Sequence, residues 1–183
     1  VAQHFQELDI SFFDFYGDSS SFKNTERIFS AHEFSINMGL FTLFHVDKVH
    51  RLNISNIKAS SAENKLTTGN ILFEPLAKAN KLSVNTNITA KCKSIGFLGV
   101  DFHEMYHHQL VPMSELLISE PSVKVSFSPN TIRQKKTKDK SLILEKTQDY
   151  LKGIYVEDTY IDKGELTYDY ISDDDKKGFF HTG

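Results

Sequence analysis

The chain has 183 residues, a formal net charge of −3 with histidine neutral, 39% hydrophobic residues and 25% charged ones, which suits one compact domain and is short for two. So small an acidic excess excludes a global basic field of the kind that gathers nucleic acid or anionic membrane, and the 15 Phe, with no Trp, argue against disorder. The single cysteine, Cys92, excludes an intrachain disulfide and a cysteine zinc cage, and no apolar run nears the roughly 18 residues of a membrane-spanning helix.

The opening residues carry charge and histidine rather than a signal-peptide core, and a start at Val1 reads as a processed product. A soluble mature chain that does not depend on disulfides is expected. From there most segments alternate with period two, the mark of strands with one face buried and one wet. In chain order, strands are expected over Ile10 to Phe15, Phe34 to Val46, Val49 to Ile57 and Asn70 to Phe73, with Gly39 as a bend or bulge in the second. Leu82 to Ala90 alternates most cleanly, with Leu82, Val84, Ile88 and Ala90 on one side and Ser83, Asn85, Asn87 and Thr89 on the other.

Ser94 to Phe102 follows, its two glycines favouring a strand or bend over a helix. A short helix is expected through Met113 to Leu117, then a strand over Val123 to Phe127. A second helix is expected from Ser141 as N-cap through Leu144, Gln148 and Leu151 to Gly153 as its stop. Strands over Gly153 to Ile161 and Glu165 to Ile171 complete the pattern. Turn-forming clusters at Gly17 to Ser21, Ser60 to Asn64, Ser128 to Asn130 and Asp162 to Gly164 separate these elements. The expected fold is mainly β: an antiparallel sandwich or barrel-like domain over residues 1–172 with one or two short helices.

Residues 141–183 hold ten acids against five lysines, and Asp173-Asp174-Asp175 leads into Phe179-Phe180-His181. No calcium loop is spelled there. Residues 173–183 therefore read as an acidic, aromatic-ended tail, with Phe179 and Phe180 as residues that dock on the parent domain or on a neighbouring copy.

One stretch names a chemistry. His103-Glu104-Met105-Tyr106-His107 has the His-Glu-x-x-His spacing that, on a helix, sets two imidazoles one turn apart beside a carboxylate. Such a set holds zinc and activates a water, with His103 and His107 as ligands and Glu104 as general base. The motif resembles the zincin signature over five residues only. Asp101 and Gln109 stand where a zinc helix prefers uncharged and apolar residues, and Pro112 limits its length. If the stretch were extended, the two His would lie about 13 Å apart. His108, Glu115 and Glu120 are the candidates for a third ligand. A polar loop or solvated helix is the plainer reading.

Arg133, Lys135, Lys136, Lys138 and Lys140 place five positive charges in eight residues, enough to contact phosphates of nucleic acid or an anionic lipid surface. No aromatic is interleaved for base stacking, and a solvated loop fits as well. With no phosphate loop and no nucleophile elbow, the leading expectation is a non-enzymatic structural or interaction protein needing no cofactor. It would self-associate or bind protein partners as a subunit of a coat, matrix or fibre, as virion components do. The alternatives are a zinc metallopeptidase and a β-walled protein binding an apolar ligand such as a lipid.

Overall fold

The computed structural model describes residues 3–15, 31–44, 50–76, 86–127, 152–171 and 177–182. The expected helix after Ser141 and the basic run 133–140 lie outside the described residues, as do residues 82–85 of the cleanest alternating segment. The fold is mainly β. Its strands are β1 (Gln3–Phe13), β2 (Glu33–Phe44), β3 (His50–Ser60), β4 (Lys65–Thr68), β5 (Ile71–Pro75), β6 (Thr86–Cys92), β7 (Ser94–Leu98), β8 (Leu110–Ser119), β9 (Ser122–Phe127), β10 (Gly153–Asp162), β11 (Glu165–Ile171) and β12 (Lys177–Thr182), with one described helix, α1 (Phe102–His108). All twelve strands join in one mixed sheet, which is not closed into a barrel. Pairing is antiparallel except where β10 runs beside β8 and β11 beside β9.

Two local expectations are corrected. Met113 to Leu117 is not helical but the middle of β8, paired with β10 along one edge and, from Glu115 onward, with β7 along the other. Two ladders outweigh what one helical turn behind Pro112 could offer, because a short helix forms few bonds for the backbone it fixes. The strand expected to reach Phe102 ends at Leu98, because Gly99 turns the chain at φ +63°. A Cβ on Gly99 would run into the side chain of Ser114, whose hydroxyl donates to Leu98 O at 3.0 Å. Gly99→Ala is therefore expected to destabilise the protein by at least about 1–2 kcal/mol, the cost of a left-handed backbone for an L-residue, read as a lowered urea midpoint.

The sheet has an order that its strand boundaries conceal. Lys58 pairs with Thr67 in β4, and Asn53 pairs with Leu72 in β5, in one unbroken register. The same holds for β7 and β6 against their neighbours, for β8 with β9, and for β10 with β11. Each of these pairs is a single long strand interrupted once. With β1, β2 and β3, seven long strands cross one common line, which runs through Glu7, Gly39, Asn56, Gly69, Ser94, Ser119 and Asp162 and their neighbours.

At that line the alternation slips by one residue in every strand. In β2 the apolar residues are Ile36 and Met38, then Phe41 and Leu43; in β3 they are Leu52 and Ile54, then Ile57 and Ala59. The hydrogen bonds slip too: Ser55 N–H donates to Asn70 O, but Ser55 O accepts from Gly69 N. Glu7, Asn56, Glu120 and Lys163 take positive φ there (54°, 52°, 50° and 53°). Pairing stays one to one across the line, so all the strands change phase together, which keeps apolar side chains on one face on both sides of it. Gly39 answers to Glu7, since a Cβ there would collide with the Glu7 carboxylate, and Gly69 lies against Asn56 in the same way. Gly39, expected as a bend or bulge, lies on this line, the crease, within an unbroken β2.

The crease divides the sheet into two halves. In one, Ile10, Ile36, Ala59, Leu66, Phe97 and Leu116 stand opposite one another across six strands. Here α1 packs: Phe34, Ala59, Val100, Phe102 and Met113 form the buried cluster, with Phe34 and Phe102 edge to face at 5.2 Å. In the other half a matching row runs Leu43, Leu52, Phe73, Ala90, Val123, Leu166. None of the buried apolar side chains among the described residues belongs to this half.

Candidate functional site

Two features carry functional weight: the histidines of α1, and the apolar sheet face beyond the crease.

The helix exists because of the residues that seemed to argue against it. Asp101, extended at φ −82° and ψ 93°, is the N-cap, and its carboxylate accepts from Glu104 N–H at 2.9 Å. Gln109 takes the left-handed conformation at φ 60° as the C-cap, its N–H donating to Glu104 O. A cap of the Asp101 kind contributes about 1 kcal/mol, and Phe102, 4% exposed, anchors the first turn in the core. A zinc motif read from composition asks for neutral flanks, whereas a seven-residue helix between two turns needs caps.

On α1 the rings of His103 and His107 lie 4.4 Å apart between centroids, tilted by 46°. Tyr106 meets His107 edge to face at 4.9 Å. Nε2 of His107 is screened from solvent and has no hydrogen-bond partner. Glu104 lies on another side of the helix, its carboxylate 3.0 Å from His108 Nδ1. The structure thus brings His103 and His107 together and sets Glu104 with His108. Of the other candidates, Glu115 is on β8 and Glu120 sits at the crease, 2.7 Å from Lys93 Nζ. That contact and the Lys93 charge hold the Glu120 carboxyl below its ordinary range and the Lys93 ammonium above its own, in an exposed pair that water and salt screen. Among the described residues no three His, Cys, Asp or Glu side chains gather as a metal group. Cys92 is half-buried, its thiol 3.1 Å from Ser94 O and 3.2 Å from Ser119 O.

The sheet beyond the crease is amphipathic. One face carries Arg51 bound to Glu74 at 2.9 and 2.6 Å, Thr42 donating to Asn53 Oδ1 at 2.9 Å, and Lys124 paired with Asp169 at 2.7 Å. The other presents the Leu43 to Leu166 row and, beside it, Phe5, Phe41, Ile54 and Ile71. The two outer strands are the most open. On β1 every residue is exposed, with Phe5 52%, Leu8 46%, Ile10 49%, Phe12 43% and Phe13 52%. Ile154, Tyr155, Tyr160 and Ile161 on β10, which lie with Ile10, Phe12 and Phe13 in the half that carries α1, and Leu166 and Tyr168 on β11, beyond the crease, are exposed as well. The β1 band was missed in its first half because His4, Gln6 and Glu7 hide Phe5 and Leu8 from a period-two reading that knows nothing of the slip at Glu7. Phe179 and Phe180, expected in a separate tail, lie on β12 opposite Asp169 and Tyr168 and so extend the parent sheet.

Comparison of the chain with protein-family models, with characterised proteins and with solved structures returns no match. No helix of the described residues is long and apolar enough to cross a membrane.

Proposed function

We propose that the protein is a non-enzymatic subunit of a larger assembly of coat, matrix or fibre type, in which copies of the chain cover one another's apolar sheet faces. The observation that carries this reading is the half of the sheet beyond the crease, where an apolar face spans six strands without one buried apolar side chain among the described residues. A sheet of this kind is stable when a second layer covers its apolar side. At its two sides this half also exposes Phe5 on β1 and Leu166 and Tyr168 on β11. Among the described residues β1 pairs with β2 alone, and an edge strand is a template for another strand.

Sedimentation velocity tests the reading. Concentration-dependent association is expected, and the double variant Phe5→Lys, Leu166→Lys is expected to weaken it by at least about tenfold, as loss of a buried apolar anchor on each side would. A monomer at all concentrations would remove the support for self-assembly.

A zinc peptidase is the second reading, favoured by one observation: residues 102–108 are helical, which lets His103 and His107 meet at one ion. It ranks second because Glu104 is engaged by His108 and no third donor joins the pair among the described residues.

A further inference from the structure

We infer that α1 carries a two-histidine chelate for a late first-row divalent metal ion, with His103 and His107 as its protein ligands and no catalytic role. The inference stands apart from the assembly reading and rests on three features of the helix.

The first is spacing. Residues four apart are neighbours one turn along a helix, and here their rings approach to 4.4 Å between centroids. Two imidazoles so placed can each bring a nitrogen to one ion at the usual 2.0–2.1 Å for a His ligand. The second is the state of His107. Its Nε2 is shut off from water and has no hydrogen-bond partner, a condition that costs a neutral polar group about 1–3 kcal/mol. A metal bond would satisfy that nitrogen. Tyr106, edge-on to the ring, and the packing of Phe102 and Met105 in the core restrict how the histidine can turn away. The third is the carboxylate. Glu104 points to His108 and not to the pair, so both protein ligands of the ion would be nitrogens.

Nitrogen donors without carboxylate select the ion. Affinity follows the order in which Cu²⁺ exceeds Ni²⁺ and Zn²⁺, and Mg²⁺ and Ca²⁺, which want oxygen, are refused. Two ligands make a weaker site than the four of a structural zinc cage, which suits an ion that is exchanged or shared.

The test uses the full chain with Cu²⁺ alone and Zn²⁺ alone, followed by calorimetry and electron paramagnetic resonance. The expected result is a Cu²⁺ site with coupling to two nitrogens, weaker Zn²⁺ binding at the same place, and no response to Mg²⁺. His103→Gln and His107→Gln should each weaken Cu²⁺ binding by at least about tenfold, on the scale at which lost metal-site contacts are felt. The double variant should be no weaker than either single one, because one imidazole is no chelate. His108→Gln should leave binding unchanged. Binding that survives in His107→Gln, or a one-nitrogen signal, overturns the inference. Because six other histidines could bind copper and the variants could unfold α1, the unmutated chain supplies a second readout. Sub-stoichiometric Cu²⁺ should broaden the amide resonances of residues 102–108 first, and broadening centred elsewhere refutes the site.

Discussion

Deleting Asn56 is expected to abolish the native fold, while Asn56→Gly is expected to leave it nearly unchanged. Asn56 sits at φ 52° in the middle of β3, where the strand crosses the crease. Without it, and with the pairing to β2 and β4 kept, each residue beyond the crease moves up one place, so that Lys58 and Ser60 take the places now held by Ile57 and Ala59. Ala59 is 8% exposed, inside the buried cluster. Ser60 would then bring its hydroxyl into that cluster and Lys58 its ammonium to the half-buried place of Ile57, each at a cost of about 1–3 kcal/mol unless it finds a partner. The alternative, sliding β3 past β2, β4 and β5, breaks every cross-strand row at once. Either cost is a large share of the 5–15 kcal/mol that holds an ordinary domain together. Asn56→Gly keeps the residue count and relieves a left-handed backbone, so the gain there offsets the entropy of glycine. Urea unfolding followed by circular dichroism separates the two outcomes. A deletion variant with a native-like transition would mean that the slip does not set the face of the strand.

That contrast also explains what the amino-acid pattern disclosed. Alternation within a half-strand is plain at Ser122–Phe127, where the expected strand agrees with the observed one to within a residue; Gly153–Asp162, expected from its aromatic and β-branched residues, agrees as closely. The slip was not plain, because in one strand a change of phase looks like a strand end. Gly39 drew notice through its missing side chain, whereas Glu7, Glu120 and Lys163 do the same work with residues that give no such signal. The crease becomes visible only when seven strands are aligned, and their alignment is tertiary information.

The candidate site was legible in part for the opposite reason. His103 and His107 are named by a local motif, and whether they meet depends only on whether seven residues are helical. The deciding residues were Asp101 and Gln109, which the zinc reading took as flaws in a ligand helix and which the chain uses as caps. The buried orphan nitrogen of His107 has no sequence signal, since it arises from how Phe102 and Met105 pin the helix to the sheet.

That pinning leads to the second large effect. Phe102→Ala is expected to destabilise the protein by about 3–5 kcal/mol, the range for truncating a buried aromatic. Phe102 is 4% exposed and meets Phe34 edge to face, so truncation loses its transfer energy, its ring contact and leaves a cavity under the first turn of α1. The surroundings have little freedom to collapse, since Phe34, Ala59 and Met113 belong to strands fixed on both edges. Phe5→Ala, at a ring 52% exposed on β1, should cost under about 1 kcal/mol in the isolated chain, as surface changes do. Phe102→Leu should fall between them, near 1.5 kcal/mol, because most of the volume is kept. A helix of seven residues does not persist by itself in water, so α1 depends on this anchor as well as on its caps. The denaturation midpoint and the Cu²⁺ affinity should therefore fall together in Phe102→Ala, and only the affinity should fall in His107→Gln. If Phe102→Ala lowered stability by less than about 1 kcal/mol, the cluster under α1 would not be the protein's core, and the position of the histidines would need another cause.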